Sequence, residues 1–135
     1  MNYNNFLPYK QSLELKELGF NEICFGFYPR GYSDQLTIPG SEDFTWLLDE
    51  VRVITNRNLD IIGNPIGLVG YVAAPLYQQA FRWFRENHDL CSHIMMYNGQ
   101  FTFEINEVEF VLQNKETHEE SELDCLNKLI EIIKK

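Results

Sequence analysis

Residues 71–90 decide the fold of this 135-residue chain, and they read Tyr-Val-Ala-Ala-Pro-Leu-Tyr-Gln-Gln-Ala-Phe-Arg-Trp-Phe-Arg-Glu-Asn-His-Asp-Leu. Apolar side chains recur here at three- and four-residue spacing, which predicts an amphipathic helix over 74–89 with Pro75 at its first position. The apolar set is Leu76, Tyr77, Ala80, Phe81, Trp83 and Phe84. Because most of these side chains are aromatic, we expect this helix to be the central element of the core.

The composition predicts one well-packed domain over 1–135, since 44% of the residues are hydrophobic and 14% are aromatic. The formal net charge is -9. This charge argues against a general nucleic-acid or anionic-membrane binder, because such proteins need a basic surface. Charge is also uneven along the chain: every arginine lies between residues 30 and 90, whereas residues 91–135 are strongly acidic.

The chain has three cysteines, Cys24, Cys91 and Cys125, and an odd number this small cannot form a complete disulfide framework. This count favours a protein that works in a reducing compartment. The N-terminal residues lack the basic and apolar regions of a signal peptide. The nearly uncharged run 61–76 is interrupted by prolines and glycines and is too short to span a bilayer. We therefore expect a cytoplasmic protein without a membrane segment.

The N-terminal quarter predicts a helix followed by a strand. A helix over 8–18 would end at Gly19, with Phe20 supplying the hydrophobic contact of a Schellman ending. The following strand, 22–28, is apolar in both phases, which is typical of a strand that is covered on both faces. We place this strand centrally in the sheet.

Residues 33–70 form an irregular, insertion-like segment. Within it, the N-cap residue Ser41 and the apolar spacing that follows predict a short helix over 42–51. The run Val51–Ile54 fits the start of a strand equally well. Residues 56–70 contain several glycines and Asn64-Pro65, and they read as an irregular crossing segment.

The last third predicts a hairpin or meander over 91–113 and a terminal helix over 118–134. Asn98-Gly99 is the sequence that a type I′ turn requires. The alternation of apolar residues changes phase at Asn106-Glu107, which indicates either a bulge or a second tight turn. Thr117 and Glu120 fit a capping box. The fold class is therefore α+β: a small, mostly antiparallel sheet from 22–28 and 91–113, packed by helices 8–18, 74–89 and 118–134.

Three segments resemble a family of small uncharacterised proteins of tailed bacteriophages and related mobile elements, common in those of Bacteroidetes. They are Leu-Lys-Glu-Leu-Gly-Phe-Asn-Glu with Cys-Phe-Gly-Phe-Tyr within 15–28, Ala-Pro-Leu-Tyr-Gln-Gln-Ala-Phe-Arg-Trp-Phe-Arg-Glu at 74–86, and Glu-Ser-Glu-Leu-Asp-Cys-Leu-Asn-Lys-Leu-Ile-Glu-Ile-Ile at 120–133. The segment 33–70 is longer than its counterpart in typical members. The resemblance implies a phage-encoded or prophage-encoded accessory protein in a bacterial cytoplasm, and it implies no activity.

The residues that could act in metal binding or catalysis lack the spacing that those functions require. The histidines and cysteines form no metal-binding motif, so we predict no metal and no cofactor. The serines occur in no nucleophile motif, and Cys125 lies on the apolar side of a helix. The pattern predicts that the carboxylates Glu104, Glu107 and Glu109 lie on the solvent-exposed face of a half-buried strand. The sequence therefore leans away from an enzyme.

One constellation suits a phosphate-bearing ligand or an acidic partner. Arg82 and Arg85 are three apart on the polar side of the central helix, and Tyr28, Arg30 and Tyr32 follow the central strand. Arginine forks and aromatic faces bind anions well. The ordinary alternative is that the two helix arginines pair with nearby carboxylates or with the acidic last helix, which adds little stability.

The sequence thus leaves three functions open. The first is a non-catalytic binding protein that engages a host or phage protein or a small anionic, nucleotide-like ligand during infection. The second is a structural or assembly accessory that forms a homo-oligomer through the aromatic helix or the edge of the meander. The third is an enzyme with an unfamiliar site.

Overall fold

The computed structural model describes residues 5–29, 36–38, 54–60, 70–106, 108–109 and 117–134. The contacts of the chain group into two compact units, 1–76 and 77–135. The first unit contains helix α1 (Tyr9–Glu17) and strands β1 (Gly26–Tyr28) and β2 (Val72–Ala74). The second contains α2 (Tyr77–His88), β3 (Ser92–Tyr97), β4 (Gln100–Ile105), β5 (Val108–Glu109) and α3 (His118–Lys134). The predicted α+β class is confirmed, while the extent of one domain over 1–135 stays a prediction.

Helix α1 ends as its sequence predicts. Gly19 adopts a positive φ of 99°. The N–H of Phe20 donates to the carbonyl of Leu15 at 2.9 Å, and the N–H of Gly19 donates to Lys16 at 3.1 Å. These two bonds are the Schellman pattern. The side chain of Phe20 is buried, so the chain leaves the helix with an anchor in the core.

Strand β1 is shorter than the predicted strand 22–28, and it lies in a two-stranded sheet with one isolated bridge on its other side, rather than at the centre of a larger sheet. It pairs antiparallel with β2, with Phe27 opposite Ala73. On its other side Phe27 exchanges two backbone hydrogen bonds with Thr37, of 2.9 and 2.8 Å. Upstream of β1, Cys24 makes only an isolated bridge to Ile54. The regular ladder therefore begins at Gly26.

The central helix begins at Tyr77 rather than at residue 74, which corrects the predicted boundary. Val72–Ala74 form strand β2, and Leu76 makes a bridge with Phe6. A residue that precedes proline is biased towards extended backbone, so Pro75 holds Ala74 in the strand. The carbonyl of Pro75 accepts a 2.9 Å hydrogen bond from the N–H of Leu7. Pro75 therefore ends a strand pairing instead of starting a helix.

A buried asparagine connects three parts of the first unit. Residues 56–60 are helical, where the sequence predicts an irregular segment. The side-chain amide of Asn56 donates to the carbonyl of Phe20 at 2.9 Å, and its oxygen accepts from the N–H of Ala73 at 2.9 Å. At the surface, Lys16 Nζ bonds both Asp60 and the carbonyl of Tyr71. These bonds fix the helical segment 56–60 between α1 and β2.

Helix α2 buries most of the apolar face that its sequence predicts, with Phe81 half-buried. Tyr77, Ala80, Trp83 and Phe84 are buried. The rings of Trp83 and Phe84 meet edge to face with centroids 5.1 Å apart, and His88 lies 4.8 Å from Trp83. Asp89 takes a positive φ of 53° just beyond the helix. A short polar residue tolerates this conformation, which turns the chain towards β3.

The meander forms through two tight turns. Tyr97 pairs with Gln100 across Asn98-Gly99, whose φ angles of 51° and 76° match a type I′ turn. Ile105 pairs with Val108, so the change of phase is a second tight turn and not a bulge. The sheet order is β3-β4-β5, and β1-β2 form a separate two-stranded sheet. The strands that we predicted in one sheet therefore lie in two.

Helix α3 matches the predicted helix 118–134 and covers the meander. The N-cap bond of its predicted capping box is present, because the N–H of Glu120 donates to Thr117 Oγ1 at 3.2 Å, while the carboxylate of Glu120 accepts from the Thr117 hydroxyl at 2.9 Å. The helix contacts both β4 and β3. Its buried side chains are Ser121, Cys125, Leu126, Leu129 and Ile130. The predicted short helix 42–51 and residues 110–113 of the predicted meander lie outside the described residues.

Candidate functional site

The phenol of Tyr28 lies in the core of the first unit. Its ring packs edge to face against Tyr9, with centroids 5.6 Å apart, and clusters with Phe6 and Ala74. The hydroxyl donates a 2.7 Å hydrogen bond to the carbonyl of Leu7. Burial raises the pKa of Tyr28 to about 12. In this position Tyr28 ties the N-terminal segment to strand β1, and its hydroxyl is already used by the backbone.

The four other candidate binding residues divide into two sets. Arg30 and Tyr32 lie outside the described residues. Arg82 and Arg85 both lie on the exposed side of α2, where residues three apart sit side by side one turn along the helix. The structure therefore brings the two helix arginines together, on the side opposite the buried aromatic face. Their role in binding an anion stays a prediction.

The buried cysteines are held in their protonated form. Burial, assisted by the carboxylate of Glu22, raises the pKa of Cys24 to about 12. Burial also raises the pKa of Cys125 to about 12, against the opposing effect of a hydrogen bond with Ser92. Since the thiolate is the nucleophile and the metal ligand, both groups are chemically inert at neutral pH. Cys91 is exposed. Across the described ranges, no group of three His, Cys, Asp or Glu side chains could hold a metal ion.

The remaining polar candidates belong to helix α3 and the strand beneath it. His118 Nδ1 lies 3.3 Å from Glu122 Oε1, and its ring meets Phe101 edge to face at 5.6 Å. Burial raises the pKa of Glu122, while the charge and hydrogen bond of His118 oppose that rise. The hydroxyl of Ser121 is buried and has no hydrogen-bond partner within the described parts of the chain. The ion pair and the ring contact of His118 stabilise helix α3, whereas the buried hydroxyl of Ser121 destabilises it. These groups do not converge on one binding site.

The surface of the first unit carries a feature that sequence analysis missed. Ile23 is 58% exposed and Phe25 is 54% exposed, although we expected this run to be covered on both faces. Between them, Cys24 is buried, and Gly26 lies against Leu36 and Ile38. On β1, Phe27 is fully buried and stacks on Tyr71. Ile23 and Phe25 therefore form an exposed apolar pair immediately before the covered strand.

The sequence held only a weak signal for this pair. A run that is apolar in both phases is typical of a buried strand, and it does not distinguish residues inside the ladder from residues before it. The distinguishing signal is Gly26, whose backbone is closely approached: a Cβ placed there would lie 3.1 Å from the carbonyl oxygen of Thr37. A glycine inside a strand pattern often marks such an approach.

Comparisons with known proteins found no relative: no protein-family model, no curated protein and no solved structure matches the chain. Within the described residues, no helix combines the length and apolar character that crossing a membrane requires.

Proposed function

We propose that this protein is a non-catalytic binding protein that engages another protein in a bacterial cytoplasm during phage infection. The observation that carries the proposal is the exposed pair Ile23 and Phe25. Protein interfaces are enriched in aromatic residues that become buried at their centre. The phage setting rests on the resemblance of segments 15–28, 74–86 and 120–133 to phage and mobile-element proteins.

The position of the pair suits a docking site. The buried neighbours Cys24 and Phe27 fix the backbone on both sides of Phe25. A side chain presented from a fixed backbone loses less conformational freedom on binding than one on a mobile segment, so more of its burial contributes to affinity. A partner with an apolar, uncharged contact surface fits these two side chains.

The test uses a photoreactive phenylalanine analogue in place of Phe25, expressed in the host, with the same analogue at exposed Gln78 as the control position. Proteins cross-linked only from position 25 are then purified and titrated against Ile23→Ser and Phe25→Ser. Removing one anchor should weaken the Kd by about tenfold to a hundredfold. Gln78→Ser, which alters an exposed residue of the other unit, should leave the Kd unchanged. Equal affinity of all variants would overturn the proposal.

A second candidate is the binding of a small anion by Arg82 and Arg85. It is favoured by their shared exposed position one turn apart on α2, because guanidinium groups bind phosphates in a bidentate manner. Thermal unfolding with mono-, di- and cyclic nucleotides tests it. A ligand at a hundredfold excess over its Kd should stabilise the protein by about 2.7 kcal/mol. The shift should vanish in Arg82→Ala and Arg85→Ala, and an unchanged melting temperature across the panel excludes nucleotides.

A further inference from the structure

We infer that strand β3 is a self-pairing edge, through which two copies of this chain form a symmetric dimer with a continuous antiparallel sheet. The inference concerns the second unit and does not depend on the proposed binding function. The two edges of the sheet β3-β4-β5 differ in the features that normally prevent such pairing. That difference, together with the direction of the backbone hydrogen bonds, identifies both the strand and its register.

The β5 edge carries a protective feature of a natural edge strand. Its described part is Val108–Glu109, whose sequence contains a glutamate and follows Glu107. Charged residues are one of the devices by which proteins keep a sheet edge from pairing with another chain.

The β3 edge lacks this feature. Ser92–Tyr97 is six residues long and reads Ser-His-Ile-Met-Met-Tyr, without lysine, proline, aspartate or glutamate. In the described part of the chain, β3 pairs with β4 alone. Met96 is 65% exposed. A long, uncharged edge strand of this kind is a template for another strand.

The register of the hairpin determines which residues offer their backbone groups to a partner. Across a two-residue turn the flanking pair, Tyr97 and Gln100, is hydrogen-bonded, and hydrogen-bonded pairs then alternate along the strands. At the far end the carbonyl of Cys91 accepts a 2.8 Å bond from the N–H of Asn106, in the same phase. Odd-numbered residues of β3 therefore face β4. Ser92, Ile94 and Met96 direct their N–H and C=O groups to the outer edge.

These three residues are complementary to themselves about a two-fold axis at Ile94. Ile94 would pair with Ile94 of the partner subunit, and Ser92 would pair with Met96 of the partner subunit, with about six backbone hydrogen bonds in all. A two-fold axis makes the same patch meet itself, which is the commonest arrangement of a homo-oligomer. The chain carries a net charge of -9, and this strand allows two such chains to meet without placing carboxylates opposite each other.

The test is the oligomeric state of the full chain, measured by analytical ultracentrifugation from about 1 μM to about 1 mM. We expect a monomer–dimer equilibrium. Met96→Pro removes an outward N–H and leaves the bonds to β4 intact, so it should weaken the dimer at least tenfold while the hairpin stays folded. Met96→Leu keeps the N–H and should dimerise normally. Met95→Pro removes an N–H that faces β4, and it should disrupt the hairpin itself.

Amide hydrogen exchange supplies a second readout at residue level. The amides of Ile94 and Met96 should exchange fast in dilute solution and slowly in concentrated solution. A protein that is monomeric at every concentration overturns the inference, whether these amides are exposed or are covered by its own chain. A dimer that survives Met96→Pro places the interface elsewhere and also overturns it. Protection that appears only when a different protein is added assigns the edge to a heterologous strand, which is a third contrary result.

Discussion

The side-chain oxygen of Asn56 accepts a 2.9 Å hydrogen bond from the backbone N–H of Ala73. The amide nitrogen of the same side chain donates to the carbonyl of Phe20. Asn56 is 4% exposed, so water cannot replace either bond. One side chain therefore satisfies backbone groups from two segments that are distant in sequence.

We predict that Asn56→Ala is among the most destabilising polar substitutions in the described part of the chain. It removes both hydrogen bonds and takes away the partner of the buried N–H of Ala73, at a cost of about 1–3 kcal/mol for that group alone. Urea denaturation should therefore show a loss of several kcal/mol. Asn87→Ala is the control: Asn87 also donates to a backbone carbonyl, that of Trp83, but it lies on an exposed surface. Similar losses for both variants would contradict the role of Asn56.

The raised pKa of Tyr28 predicts that the protein loses stability at alkaline pH. Its pKa is raised from an ordinary value of 10 to about 12 by burial, so the folded state keeps a proton that the unfolded state releases. The stabilising contribution is complete below pH 10 and is lost as the pH rises to about 12. The buried cysteines, with pKa values of about 12, act in the same direction.

Tyr28→Phe separates the tyrosine from the cysteines. It removes the bond to Leu7 and should cost about 1 kcal/mol at neutral pH. Its free energy of unfolding should then fall less steeply above pH 10 than that of the natural protein. Denaturation at pH 7 and pH 11 measures both effects. An identical alkaline slope would mean that Tyr28 does not titrate in this range.

Two glycines should resist substitution for different reasons. Gly19 has a φ of 99° with no atom within 4 Å of an added Cβ, whereas a Cβ at Gly26 would lie 3.0 Å from Ile38 Cδ1. Gly19→Ala should cost about 1–2 kcal/mol through backbone strain, and Gly26→Ala about 1–3 kcal/mol through overpacking.

Asparagine distinguishes the two causes, because it tolerates left-handed backbone but is larger than alanine. Gly19→Asn should be more stable than Gly19→Ala. Gly26→Asn should be less stable than Gly26→Ala. Thermal unfolding of the four variants is sufficient, and the same order at both positions would refute the explanation.

The buried hydroxyl of Ser121 predicts that replacing this serine with alanine stabilises the protein. Its hydroxyl is fully buried on α3 and has no partner in the described part of the chain, so it carries a desolvation cost without a hydrogen bond in return. Ser121→Ala should raise the free energy of unfolding by up to about 1 kcal/mol. Ser12→Ala is the matched control, since the buried hydroxyl of Ser12 donates to Leu7. That variant should lose stability. A loss in both would indicate that Ser121 also has a partner.

The sequence by itself determined the elements whose signals are local. The glycine ending of α1, the Asn98-Gly99 turn, the capping box of α3 and the apolar face of α2 each depend on dihedral preferences and hydrogen bonds within a few residues. Such terms act in the same way wherever the chain lies. The α+β class followed from them.

Only the tertiary structure decided the features that depend on long-range pairing. The pairing of Gly26 with Ala74 made residues 72–74 a strand and moved the start of the helix to Tyr77. The bond from Tyr28 to Leu7 placed the side chain of Tyr28 in the core of the first unit. The pairing of β1 with β2 begins at Gly26, after Ile23 and Phe25, and therefore does not cover these two residues. In each case the deciding partner is distant in sequence, and no local pattern specifies which segment meets which.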